Sequence, residues 1–127
     1  MLSVAQPWAW AIFHAGKDVE NRVWAPERTP SFRVLVHATR REDFAATAFL
    51  ANIGVEQPPP DQPLGAIIGM VTVAGFVDDS DSPWAMPGAC HWLLADPLPA
   101  ERPMFCRGQP GLWLPPAGWQ ESFPALA

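Results

Sequence analysis

QPWAWAIFHAGKDVENR, residues 6–22, is the stretch on which the fold turns. The ring of Pro7 presets φ, and its missing N–H is not needed in the first turn of a helix. Further on, Gly16 can take the left-handed conformation that closes a helix. Between them only His14 is polar, so the segment predicts a short helix that is apolar almost all round and therefore buried. Lys17, Asp18, Glu20, Asn21 and Arg22 follow directly. A polar cluster this dense at the end of a buried helix predicts a ligand site there.

The composition sets the frame. At 127 residues and 49 % apolar, the chain reads as one globular domain over residues 1–127, with 115–127 as a loosely held tail. No apolar run approaches the roughly 20 residues that span a bilayer. The opening MLSVAQPWAW lacks the basic start and long apolar stretch of a signal peptide, so a cytoplasmic protein with no membrane partner is expected. Cys90 and Cys106 fit reduced core thiols there better than a disulfide or a metal pair, since no CxxC or HxxxH spacing lies near them. No metal and no cofactor is expected.

The net charge of −5 argues against indiscriminate binding to nucleic acid through a basic surface. The charge is unevenly spread. Residues 1–41 hold six of the eight Lys and Arg and three of the thirteen acids; residues 42–127 hold the other two basic and ten acidic residues. That asymmetry would focus anions on the N-terminal half.

Along the chain, residues 2–4 read as a short strand leading into the helix. Trp8, Ala9, Ile12, Phe13 and Ala15 share its core-facing spacing, while Trp10 and His14 share another face. Residues 17–24 read as a strand with Val19 and Trp24 as apolar members. Strict alternation would put Lys17 and Glu20 on opposite faces, unless Lys17 belongs to the turn after Gly16. Residues 25–31 are a turn-rich connection. In FRVLVHA, residues 32–38, Phe32, Val34, Val36 and Ala38 face one way and Arg33, Leu35 and His37 the other. His37 and Thr39 thus end a strand, where functional groups gather.

Residues 41–53 predict a second helix, capped near Thr39, with Glu42 and Asp43 at its positive end. Phe44, Ala48, Phe49 and Ala51 or Ile53 form its stripe, and Gly54 stops it. The proline-rich VEQPPPDQP is a stiff exposed loop. Residues 65–77, GAIIGMVTVAGFV, are apolar on both alternating sets and predict a strand buried on both faces, with glycines that let it bend. The acidic turn at 78–81 lacks the spacing of a calcium loop. CHWLLA (90–95) is another strand, the proline-rich 96–110 an irregular excursion, and 111–114 a short final strand. Five to six strands, one buried helix and one longer helix predict an α+β fold: a small β-barrel with two main helices packed at its openings.

LSVAQPWAWAIFHAGKDVENR resembles the opening signature of the ASCH (activating signal cointegrator homology) domain. That family has a PUA-like β-barrel and a characteristic Gly-x-Lys-x-x-Glu-x-Arg string. Here Gly16 directly precedes Lys17, one residue fewer than in that string, followed by Glu20 and Arg22. QPWA, VLVHATR, the glycine-rich strand and Gly108 to Trp113 follow in the family's order, so the resemblance runs over roughly 2–114. It implies a cleft at one mouth of the barrel that receives RNA or a nucleotide-like small molecule. Lys17, Glu20 and Arg22 would line it, with Gln6, Trp8, His37 and Thr39 beside them. The two cations would meet phosphate, and Trp8 or Trp84 would stack on a base or pack in the core.

Three functional classes follow. The first is an RNA- or nucleotide-binding module. The second is a hydrolase. One branch of similar proteins cleaves the amide of N4-acetylcytidine with a Lys, a Thr three residues on and a distant Glu; here position 20 is Glu, not Thr. For RNA cleavage, Lys17 would stabilise a phosphorane while Glu20 or His37 moved a proton. Glu20 beside Arg22 should stay ionised. The third is a protein-interaction adaptor anchored by prolines and exposed tryptophans.

Overall fold

The computed structural model describes residues 1–25 and 31–126. The connection expected at 25–31 lies largely outside the described residues. The strands are β1 (Leu2–Gln6), β2 (Val19–Arg22), β3 (Phe32–Glu42), β4 (Ala66–Val77) and β5 (Cys90–Phe105). The helices are α1 (Trp8–His14), α2 (Ala46–Asn52) and α3 (Trp119–Ser122). The strands form one sheet in the order β1-β3-β4-β5-β2, with β1 and β3 parallel and the other pairs antiparallel.

The alternation read in β3 holds. Val34, Val36 and Ala38 enter the main core with Leu2, Val4, Ala9, Ile12, Val71, Val73 and Trp92. Leu35 points the other way, into a second cluster with Met1, Ile67, Met70, Phe123 and Leu126. As expected, β4 has core on both faces: Val71 and Val73 serve one cluster, Ile67 and Met70 the other. Three register shifts against β5 let it bend. At Gly69 a side chain has no room, since a Cβ would lie 2.6 Å from both Leu98 O and the Phe13 ring.

The sheet curls into a half-barrel that a side chain, not a backbone ladder, draws together. β1 and β2 are its outermost strands. Arg22 Nη2 of β2 donates to Ser3 O of β1 at 2.6 Å. Near the start of β1, Leu112 bridges Leu2 and Trp113 N donates to Met1 O. The architecture is the expected small α+β barrel, with five strands and three helices among the described residues. None of these helices is long and apolar enough to cross a membrane.

α1 begins at Trp8, with Pro7 at its N-cap and not in its first turn. Ala9, Ala11 and Ile12 are buried, whereas Trp8, Phe13 and Ala15 are half-buried and His14 is exposed. Gly16 has φ +74° and turns the chain so that Lys17 N donates to Ala11 O. Lys17 therefore belongs to that turn and not to the strand, which removes the parity conflict with Glu20.

Several expectations are corrected. β2 stops at Arg22; Val23 is 96 % exposed and Trp24 lies beyond the ladder. β3 runs on to Glu42, so the second helix starts at Ala46 instead of 41. Its buried residues are Ala46 and Leu50; Phe44, Ala48 and Ala51 are exposed. Thr39 does not cap it: the Thr39 hydroxyl donates to Arg41 O within the strand.

β5 is sixteen residues long and includes Pro97, Pro99 and Pro103. Prolines survive there because β2 covers only residues 90–93, so beyond them one side of β5 is a free edge with no donor to supply. Residues 111–114 form a single bridge and no full strand. The tail expected to be loosely held instead buries Phe123 and Leu126 against Leu35, Ile67 and Met70. Cys90 and Cys106 are free and half-buried.

Candidate functional site

Under the end of α1, the turn after Gly16 delivers Lys17, and β2 delivers Glu20 and Arg22, to one place. Lys17 Nζ pairs with Glu20 Oε1 at 2.9 Å and also donates to Val19 O. Arg22 Nη2 pairs with Glu20 Oε2 at 2.7 Å. Glu20 thus sits between two cations with both oxygens engaged. Burial alone would raise its pKa, but the charges of Lys17 and Arg22 and the hydrogen bonds they donate outweigh it, holding the carboxyl below the ordinary carboxylate range. Lys17 is only 4 % exposed, an ammonium kept indoors by this carboxylate.

These residues line a cavity of about 430 Å³ together with Trp8, Asp43, Phe49 and Trp84. The aromatic wall is built from three elements. Trp8 from α1 meets Phe49 from α2 edge-on, ring centroids 5.2 Å apart, and meets Trp84 edge-on at 6.5 Å. Trp84 comes from the loop before β5, which β2 holds in place. Asp18 accepts from Ser82 Oγ, and the Asn21 amide donates to Trp84 O and accepts from Met86 N. Trp84 is 5 % exposed, so it packs in the core while its ring lines the cavity.

Asp43 is the site residue that the sequence reading misses. Its Oδ2 accepts the Trp8 indole N–H at 2.8 Å, which fixes the ring, and its Oδ1 accepts from Ala45 N. Read as a helix-start acid, it instead links β3 to α1. Nothing in its local sequence signals that role, because Trp8 is 35 positions away. Formally, Asp43 and Glu20 balance Lys17 and Arg22. The cavity is therefore not the cation-dominated hollow that a phosphate site calls for. One polar group of its lining residues has no partner among the described residues: the Nε–H of Arg22, an atom closed off from solvent.

The expected site divides. Lys17, Glu20, Arg22, Trp8 and Trp84 converge on this cavity. Gln6 does not. Its amide is 2 % exposed and consumed structurally, donating to Pro63 O and accepting from Trp10 N in the first turn of α1. His37 and Thr39 line a separate cavity on the other side of Ser3. They lie there because His37 sits on the Leu35 side of β3, away from Val36. His37 and Lys17 therefore do not face one shared reacting atom. No cluster of His, Cys, Asp or Glu with metal-binding geometry occurs among the described residues.

No curated protein matches the chain in sequence. The family model for the ASCH domain matches residues 2–102, which takes in all of α1, the Lys17–Glu20–Arg22 cluster and most of the sheet. The chain belongs to the ASCH domain family.

Proposed function

We propose that the chain is an RNA-binding module whose Lys17–Glu20–Arg22 cavity receives a nucleobase. The observation that carries this reading is the Arg22 Nε–H, buried without an acceptor beside the Trp8–Phe49–Trp84 wall. A buried donor without a partner costs about 1–3 kcal/mol, and a ligand carbonyl or ring nitrogen would recover it. Aromatic faces and edges suit a flat ring, with stacking worth about 1–3 kcal/mol per base. Electroneutrality favours an uncharged base over a phosphate in this cavity.

Hydrolysis is the weaker reading. Glu20 has both oxygens committed and a depressed pKa, so it holds Lys17 and Arg22 in place and is a poor proton carrier. Position 20 also lacks the threonine of the amide-cleaving branch.

Isothermal titration with nucleosides and a short single-stranded RNA tests the proposal. Arg22→Lys keeps the charge beside Glu20 but removes Nε–H, and it is expected to weaken binding about tenfold or more. Equal affinities for wild type and Arg22→Lys would remove the nucleobase contact from the account.

A further inference from the structure

The larger cavity, about 700 Å³, has a different chemistry. Arg40 and Arg41 reach it from the end of β3, and Arg107 from the segment after β5. No acidic side chain lines it, and none of the three arginines is in an ion pair among the described residues. In a chain of net charge −5, three arginines lining one hollow without an acidic residue among them are a local reversal of sign.

His37 supplies the second observation. The side chain is 1 % exposed. Its Nε2 contacts Cys106 O at 2.9 Å, and since a carbonyl only accepts, Nε2 carries the hydrogen. Nδ1 is buried without a partner. Gly108 packs directly against that edge of the ring: a Cβ there would lie 2.6 Å from Cε1, 2.8 Å from Nδ1 and 3.3 Å from Ser3 Oγ, so any larger residue at 108 would collide with His37. No positive φ is recorded for Gly108, so backbone conformation does not account for the glycine. Gly65 differs: its φ of +67° already favours glycine, and a Cβ on it would lie 3.1 Å from Arg40 Cγ and Nε.

We infer that this second cavity is a phosphate site, taking a backbone phosphate of the strand whose base enters the first. Guanidinium forks match phosphate oxygens in pairs. A backbone phosphodiester has no hydrogen to give, so Nδ1 meets it only as a donor in the doubly protonated ring, whereas inorganic phosphate can also donate to it. Ser3 lines both cavities, so base and phosphate sites adjoin across one residue of β1. The phosphate half stands on the arginines and His37 alone; the shared strand rests on the nucleobase proposal.

Inorganic phosphate, titrated while the ring nitrogens of His37 are followed by ¹⁵N NMR, tests the first half. Saturable shifts of His37 are expected, and Arg107→Ala should weaken them about tenfold. Phosphate at tens of millimolar that leaves His37 unmoved would overturn the site. Single-stranded RNA tests the second half. The slope of log affinity against log salt should fall by about 0.7 in Arg107→Ala, the value for one lost phosphate contact on a single strand. An unchanged slope would overturn the shared strand. A nucleoside without phosphate should leave His37 unmoved, so failure of nucleosides to bind would strike the nucleobase proposal and leave the phosphate result standing.

Discussion

Replacing Glu20 with alanine is expected to lower folding stability by about 3–5 kcal/mol, the usual cost of removing one partner from a buried ion pair. Lys17 would be left 4 % exposed with Val19 O as its remaining acceptor. Arg22, partly solvated, would suffer less. Against the 5–15 kcal/mol typical of a native protein, that loss is a large fraction. The midpoint of urea unfolding would measure it.

A double replacement separates structure from function. Lys17→Met with Glu20→Leu removes both charges, and apolar substitution of a whole buried pair is often neutral or stabilising. The double variant should regain most of the stability while losing nucleobase binding. Acid gives the same test without truncation. The Glu20 carboxyl is depressed in the folded state, so its contribution is complete above the unfolded value of about 4.3 and is lost as pH falls through the lower folded value. Wild type should therefore lose stability more steeply than Glu20→Gln in that window. Parallel acid limbs would show that Glu20 is not held by its partners.

Trp92→Ala is the second large effect, expected at about 3–5 kcal/mol. The ring is 0 % exposed at the centre of the main core, edge-on to Trp24 at 5.1 Å and to Phe76 at 5.4 Å. Its indole N–H donates to Trp24 O at 2.9 Å. Trp92 is also the register partner of Glu20 across the β2–β5 ladder. Loss of the ring would leave a cavity under the strand that carries Lys17's partner, so ligand affinity should fall along with stability. Thermal unfolding together with the same titration would record both; a stable variant that binds normally would contradict this placement of the core.

The parts of the fold that were legible in the sequence share one property: their signal was local. The alternation of residues 32–38 sorted Val36 from Leu35 correctly, and Gly16 marked the turn that returns Lys17 toward Glu20. What was missed depends on distant neighbours. Prolines at 97, 99 and 103 look like strand breakers until β2 is seen to reach no further along β5 than residue 93, leaving the rest of that side a free edge. Phe123 and Leu126 look like tail residues until Met70 and Ile67 are found to need covering.

The division of the site was half visible. Alternation alone put His37 on the face away from Val36, but the family signature drew it toward Lys17. Asp43 was invisible as a site residue because its role is defined by Trp8, which reaches it only after β3 and α1 have come together.

In the proposed complex a base docks against the Trp8–Phe49–Trp84 wall and satisfies Arg22. The most direct measurement is the ¹⁵N NMR signal of the Arg22 Nε–H in wild-type protein during titration with short single-stranded RNA. This signal is expected to shift and to slow in exchange with water as the RNA saturates, moving in step with the Trp8 indole N–H. RNA that binds while both signals stay where they began would contradict it.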